Sequence, residues 1–287
     1  MDEFTKRLVH LVHCPRAGWK TIYYALKSDP ELKHIYRSNP QFSAHTNESP
    51  ITIPQSDLLS IPIEKLTSQY VKSGIRMITL FDKEYPPLLK EIYQPPWVLF
   101  AKGNLSLLDS RLCLAVVGAR DASAYGKAVI EFLLPELVRT GFCIVSGLAK
   151  GIDTQAHRTA IRLGGQTIGV IAGGFNHLYP KENKELASRM AEHHLLLSEY
   201  PPGSRPERWQ FPLRNRIISG LSRGTVVIEA KQKSGSLITA EYSLNEGREV
   251  FAIPGSILTS GSAGVHELIQ QGAKLVKQPQ DILDEFL

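Results

Sequence analysis

Residues 211–224 read FPLRNRIISGLSRG, and the polar trio Arg214, Asn215 and Arg216 stands directly before an apolar Ile217–Ile218 pair. A solvated helix spreads its charges around its outer side; here they precede the buried face, so the trio is aimed at a partner. A guanidinium grips phosphate through two parallel N–H donors and can lie flat on a base. Other cations keep similar company. VVGARDASAYG, SGLAKGIDTQAH, AGGFNHLYPKEN and EAKQKSGSLITAEY each join a short apolar run to a helical pattern. Glycine lets the backbone approach an oxyanion, and a helix start offers unpaired N–H groups at the positive end of a dipole. With Arg120, Lys150, Lys181, Arg214 and Lys233 on these segments, the chemistry is anion binding, and phosphate is the expected anion. Gly118, Asn183, Asn215, Arg216, Ser234 and Gly235 complete the candidate set, with Tyr125 and Phe175 as rings beside it.

Other chemistries find less support. The stretch from Gly118 to Lys127 mimics a P-loop, but seven residues separate Gly118 from Gly126 where that loop needs four, and no Ser or Thr follows Lys127. No GxGxxG occurs. ATP hydrolysis and hydride transfer both lose ground, and no cofactor is expected. Ser146 and Ser234 show no His–Asp pairing. His157, inside a helical pattern, reads as a packing residue or one that hydrogen-bonds in the helix's N-terminal turn, and Asp153 as the cap of the same helix. HLVHC, residues 10–14, brings two histidines and a cysteine close together but has no further ligand set, so no metal is expected. Tyr179, Trp209 and Phe211 also border the loops and are expected in the core.

The elements that must position these residues follow from the patterning. From Gly74 onward, short apolar runs alternate with helical stretches: IRMITL, WVLFAKG, LCLAVVG, FCIVSG, QTIGVIAG, HLLLSEY, GTVVIEA and REVFAIPG, with GKAVIEFLLPELVRTG and DTQAHRTAIRLG among the helices. Runs without strict alternation are strands buried on both faces. The expectation is a doubly wound, mostly parallel α/β sheet whose glycine-rich loops share the carboxyl edge, where ligands bind. FTKRLVHLVH, AGWKTIYYALKSD and PELKHIYR predict helices in a separate N-terminal part, Ser38 to Pro62 reads as loop with one short helix, and the domain boundary falls near Val71, giving domains 1–72 and 73–287. CPRAGWKTIYYAL loosely resembles a helix-hairpin-helix but lacks its Gly-x-Gly turn, and plain helical packing is the simpler reading.

The chain of 287 residues carries 43% hydrophobic and 21% charged residues, a globular balance. Its net charge of +5 is local, because residues 201–233 hold seven basic residues against Glu207 and Glu229. Three cysteines without a close pair suit a reducing compartment; Cys113 and Cys143 read as small core residues. No signal-like start and no membrane-length apolar run is seen, so no membrane insertion and a cytoplasmic location are expected.

Taken together, VGARDASAYG, SGLAKGIDTQAH, YPKENKEL, FPLRNRIISGLSRGTVVIEA, SGSLITAEY and FAIPGS resemble the DNA-processing protein A (DprA/Smf) family, in consistent order from about Asp82 onward. The resemblance implies an extended Rossmann-like domain that binds single-stranded DNA, preceded by a small all-helical, sterile-alpha-motif-like domain. It implies a recombination mediator rather than an enzyme, loading the recombinase RecA onto incoming DNA during natural transformation, with single-strand DNA-binding protein as a further partner. It also implies a homodimer. In GVHELIQQGAKLV, residues 264–276, Val265, Leu268 and Ile269 form one helical stripe that Gly272 ends; Leu268 and Val276 are expected in the chain's own core, and His266, Ile269 and Leu275 at the two-fold contact. There are two departures from the family pattern. Ala119 replaces a common serine, and the chain ends at DILDEFL without the winged-helix module of many relatives, so nothing of that module is carried over. On this reading Arg214 and Arg216 stand at the sheet edge with Asn215 at a helix start; alternatively one arginine ties a carboxylate such as Glu199 or Glu229. A rival function rests on SGSLITAE, which is similar to the PGGxGTxxE motif of Rossmann-like nucleoside-monophosphate phosphoribohydrolases, with Glu241 as the carboxylate and the glycine pair missing.

Overall fold

In the computed structural model, which describes residues 1–36, 41–42 and 51–287, the apolar runs of the larger part become one nine-stranded sheet. Its strands are β3 (Ile75–Thr79), β4 (Val98–Gly103), β5 (Cys113–Val117), β6 (Cys143–Ser146), β7 (Thr167–Val170), β8 (Leu195–Ser198), β9 (Gly224–Val227), β10 (Glu249–Ala252) and β11 (Lys274–Leu275). The order is β11-β10-β9-β5-β6-β7-β8-β4-β3. β5 to β11 run parallel, while β4 and β3 are antiparallel additions at one edge. β5 to β9 are buried along their whole length, because helices cover both faces.

One face packs on α6 (Ala124–Arg139), α7 (Ile152–Arg162) and α12 (Gln280–Leu283), through Leu133, Leu137, Ala156 and Ile282 against Leu114, Val116 and Phe251. α8 (Lys184–His193) continues that layer over Leu196. The other face packs on α5 (Pro87–Lys90), α9 (Gln210–Leu221), α10 (Gly235–Asn245) and α11 (Ala263–Gln270), through Leu89, Ile217, Ala240 and Leu268 against Ala115, Val145 and Leu197. Cys113 faces Cys143 in register, both buried and free. Gly272, at φ +102, ends the α11 segment, and Leu268 and Val276 are buried.

The N-terminal part holds α1 (Glu3–His13), α2 (Trp19–Ser28), α3 (Gln55–Leu59), α4 (Ile63–Lys72) and a two-residue ladder of β1 (Gln41–Phe42) with β2 (Ile51–Thr52). Asp2 caps α1 by accepting from Thr5 N at 2.8 Å, and Leu8 and Leu11 one turn apart face inward. Their cluster runs without a break into Ile75, Trp97, Val98 and Phe100 of the outer sheet. PELKHIYR does not form the expected helix: residues 30–36 are turns, and Leu32 takes φ +52, which a helix excludes. Of the 38–62 loop, α3 is its short helix; residues 38–40 and 43–50 lie outside the described residues.

Candidate functional site

β5 has β6 on one side and β9 on the other, so the chain order reverses there. Loops leaving the carboxyl ends of such neighbours diverge and open a crevice. The crevice here measures about 750 Å³ and lies between residues 117–120, Arg208 to Asn215, and Ser234 to Thr239. Three arginines line it (Arg120, Arg208, Arg214) against one carboxylate, Asp153. A narrower extension reaches Lys150 and Tyr179.

Arg214 forms its inner wall. It is 5% exposed, and its Nη1 donates to the carbonyls of Gly147, at 2.5 Å, and Val170. Its Nε donates to Asn215 Oδ1 at 3.1 Å. A Cβ on Gly147 would lie 2.6 Å from the Arg214 guanidinium, so only glycine lets the β6 loop close over it. Burial pulls the Arg214 guanidinium down to about 10, although Asp153 pulls it back up, and it stays charged at neutral pH. Burial likewise pushes Asp153 up while Arg214 and the Ala149 and Gly147 amides hold it down. Asp153 does not cap α7. Gly151 is the N-cap, and the Asp153 carboxylate instead accepts from Gly147 N at 3.0 Å and Ala149 N at 3.3 Å, tying down the loop that precedes its own helix. Gly151 sits at φ +77, where its missing Cβ would strike the carbonyl of Ala119 at 2.2 Å, so the β5 and β6 loops meet there.

Arg120 stands exposed at the rim with its guanidinium 5.9 Å from the Phe211 ring centroid. The opposite rim is the start of α10, where Ser234 makes no side-chain cap bond and Ser234, Gly235 and Ser236 line the crevice. An eleven-residue helix thus aims its positive end at the site. Asn215 joins the two walls, its Nδ2 donating to the Gly235 carbonyl at 3.1 Å. The trio lies within α9 rather than at its start, since the helix begins at Gln210.

The remaining residues of the anticipated set divide between the crevice and other places. Gly118 lines the crevice and leaves room for Ile152 of α7. Asn183 is buried and donates to the Leu148 carbonyl and Thr154 Oγ1, both at 2.8 Å, as a loop tie. Lys150 pairs with Glu182 at 2.5 Å. Lys181 is exposed on the neighbouring turn, outside the lining. Phe175 is wedged between the N-terminal cluster and the α8 cluster. Arg216 takes the carboxylate: its Nη2 donates to Glu199 Oε1 at 2.5 Å, and it does not line the crevice or its extension. Glu229 is held instead by Ser123, whose N–H donates to it at 3.0 Å. A second crevice of about 890 Å³ opens across Arg120, against residues 254–262. Tyr125 stands in it and donates its hydroxyl to the Pro254 carbonyl at 2.5 Å.

Glu241 is exposed on α10 and lines neither crevice. Both rings of HLVHC are spent on hydrogen bonds: His10 with Tyr36 Oη and the Leu58 carbonyl, His13 with the Val9 carbonyl and Tyr70 Oη. His157 is a packing residue bonded to Thr167 Oγ1 at 2.6 Å, and burial pulls it down to about 3. The motifs do not single out Arg208, Ile238 or Thr239. Arg208 sits in PPGSRPERW after β8, where the local basic surplus was its one visible signal. At the C-terminal patch, His266 Nε2 contacts the Gly255 carbonyl at 3.0 Å, Ile269 packs against the core and Leu275 is 39% exposed. Among the described residues, no helix is long and apolar enough to cross a membrane.

Known proteins share this architecture. A family model described as DNA recombination-mediator protein A matches residues 76–287. The chain is 47% identical to the DNA processing protein DprA of Bacillus subtilis (strain 168), over 93% of this chain and 88% of that one. It is also similar to a solved structure, that of DNA processing protein A from Streptococcus pneumoniae, with a TM-score of 0.86 and 40% identity, covering 100% of this chain and 99% of the other. A second, from Helicobacter pylori, is described for its single-stranded DNA binding mode; it aligns with a TM-score of 0.67 and 29% identity over 74% of this chain and 96% of its own.

Proposed function

The chain belongs to the DNA recombination-mediator protein A family, and on that premise we propose that it binds single-stranded DNA in the switch-point crevice and loads RecA recombinase onto it during natural transformation. Single-strand DNA-binding protein and a second copy of the chain are its other partners in this reading. The observation that carries it is the crevice itself, with Arg120, Arg208 and Arg214 and the start of α10 around a single buried carboxylate. That excess of positive charge in a concave site suits a flexible phosphate chain, which can bend into it. A duplex, stiff over about 50 nm, cannot.

Fluorescence anisotropy with labelled single-stranded and duplex oligonucleotides tests this. Single strands bind more tightly, and their affinity falls with salt. Arg120→Ala with Arg208→Ala flattens the log–log salt slope by about 1.4, two contacts at roughly 0.7 each. Unchanged binding in the double variant overturns the site. For the dimer, the half-exposed Leu275 is the residue to charge. Leu275→Glu gives a folded monomer by light scattering, and a dimer mass places the interface elsewhere.

A further inference from the structure

The sheet edge that carries the crevice continues beyond β8. β4 runs antiparallel to β8 with Phe100 opposite Ser198, so Val98, and Trp97 before it, lie at the carboxyl edge of the parallel strands. β3 ends at the same edge, Thr79 opposite Val98, which brings Phe81 alongside. On this outer stretch the chemistry changes from cations to rings. Tyr23 stacks on Trp19 with centroids 5.6 Å apart at 13°, Trp19 on Trp97 at 5.0 Å and 25°, and Trp97 on Phe81 at 6.3 Å and 21°. Four nearly parallel rings therefore form one ladder. Backbone bonds fix its middle: Trp19 Nε1 donates to the Pro95 carbonyl at 2.8 Å, and Trp97 Nε1 to the Trp19 carbonyl at 3.1 Å.

The ladder's ends are open to water, Tyr23 at 43% and Phe81 at 53%. Rings exposed to water cost hydrophobic free energy that a covering partner would recover. Exposed Lys20 and Lys27 lie three residues before and four after Tyr23 on α2, and so share its helical face. Rings that take bases, interleaved with cations that take phosphates, are what a single strand needs, because every base has a stacking face. The same segment, CPRAGWKTIYYAL, carries the residues that the crevice leaves without a role.

We propose that the Tyr23–Trp19–Trp97–Phe81 ladder is an accessory stacking platform, over which a single strand leaving the crevice continues onto the N-terminal helices. The proposal rests on the crevice being the primary strand site. From β5 to β3 is five strand spacings, or about 24 Å, so an oligonucleotide that only fills the crevice does not reach the ladder.

Anisotropy with oligothymidylates of about 5 and about 20 nucleotides, within the range single-strand sites occupy, separates the two. Tyr23→Ala with Phe81→Ala leaves the short strand's affinity unchanged and weakens the long one about tenfold. Wild-type protein shows a similar loss when the 5′ or the 3′ half of the long strand is made abasic, and this arm needs no variant to fold. Combining the variant with that abasic strand adds nothing further. Equal affinity of variant and wild type for the long strand, or no loss with either abasic strand, overturns the platform. Failure of the crevice reading looks different, since the short strand then binds equally well without Arg120 and Arg208.

Discussion

α9 carries two buried arginines two residues apart, and they meet opposite surroundings. Arg214 is held by the neutral carbonyls of Gly147 and Val170 and makes no ion pair among the described residues; the one carboxylate of its crevice, Asp153, is bonded to the Gly147 and Ala149 amides. Arg216, about 200° further round the helix, pairs with Glu199 at 2.5 Å, the two side chains 7% and 18% exposed. Glu246 and Arg248 belong to the same cluster: Arg248 and Arg216 both lower the Glu246 carboxyl. Tyr85 and Tyr200 stand nearby, their phenols pushed up by burial and by Glu199. Where protein oxygens answer a guanidinium with a full opposite charge, the arginine serves the fold. Where dipoles support it and the net charge is left over, it can serve a ligand.

Removing each arginine is the sharpest way to break that contrast. Arg214→Ala leaves the buried Gly147 and Val170 carbonyls without their donor and removes the nearby charge that lowers Asp153, and urea unfolding should show a loss of about 3–5 kcal/mol, together with failure to bind single strands. Arg216→Ala leaves Glu199 without its partner and costs somewhat less, about 2–4 kcal/mol, because Glu199 keeps some contact with water. Its folded fraction should bind DNA within about twofold of wild type, far less than the loss expected of the Arg214 variant. A steep loss of DNA affinity in Arg216→Ala would erase the distinction between the two sides of the helix.

The smallest effect is a pH dependence confined to the Arg216 side. Burial raises the Glu246 carboxyl from 4.5 to about 7. The folded chain then holds a proton that the unfolded chain releases, so this group's contribution is full below about pH 4.5 and is lost as pH rises through about 7. Glu246 is half-buried, and solvent screening limits the loss to about 1 kcal/mol. Denaturation midpoints measured from pH 5 to 8 should fall for wild type and stay flatter for Glu246→Gln. The same slope in both proteins assigns the titration to another group.

The strands of this fold were legible because they are buried on both faces and so read as unbroken apolar runs, LCLAVVG and GTVVIEA most clearly. The crevice was legible in outline, since glycine-rich segments following parallel strands have one edge on which to meet. The division of labour within RNR was not. Arg214 and Arg216 have the same chemistry in nearly the same local context, and their difference is set by Gly147, 67 residues before Arg214, and Glu199, 17 before Arg216, each on another loop. Asp153 misled for a related reason: one residue fixes whether a carboxylate caps its own helix or reaches back to the preceding loop, and the turn at Gly151 decides it. Phe175 and Asn183 bear motif-like neighbours but are consumed by packing and loop closure. The turn at Leu32, with its left-handed backbone, left no trace in a helix-forming composition.

The pairing of β5 with β9 also sets a clock. Leu114 aligns with Gly224, roughly 110 residues later, so the middle of the sheet cannot close until most of the polypeptide has left the ribosome. At about 5–20 residues per second, the β5 and β6 loops wait roughly 5–20 s for the segment that completes the crevice. During that interval the β9-facing side of β5 is an open strand edge, and the half-made protein depends on whatever shields nascent chains from one another.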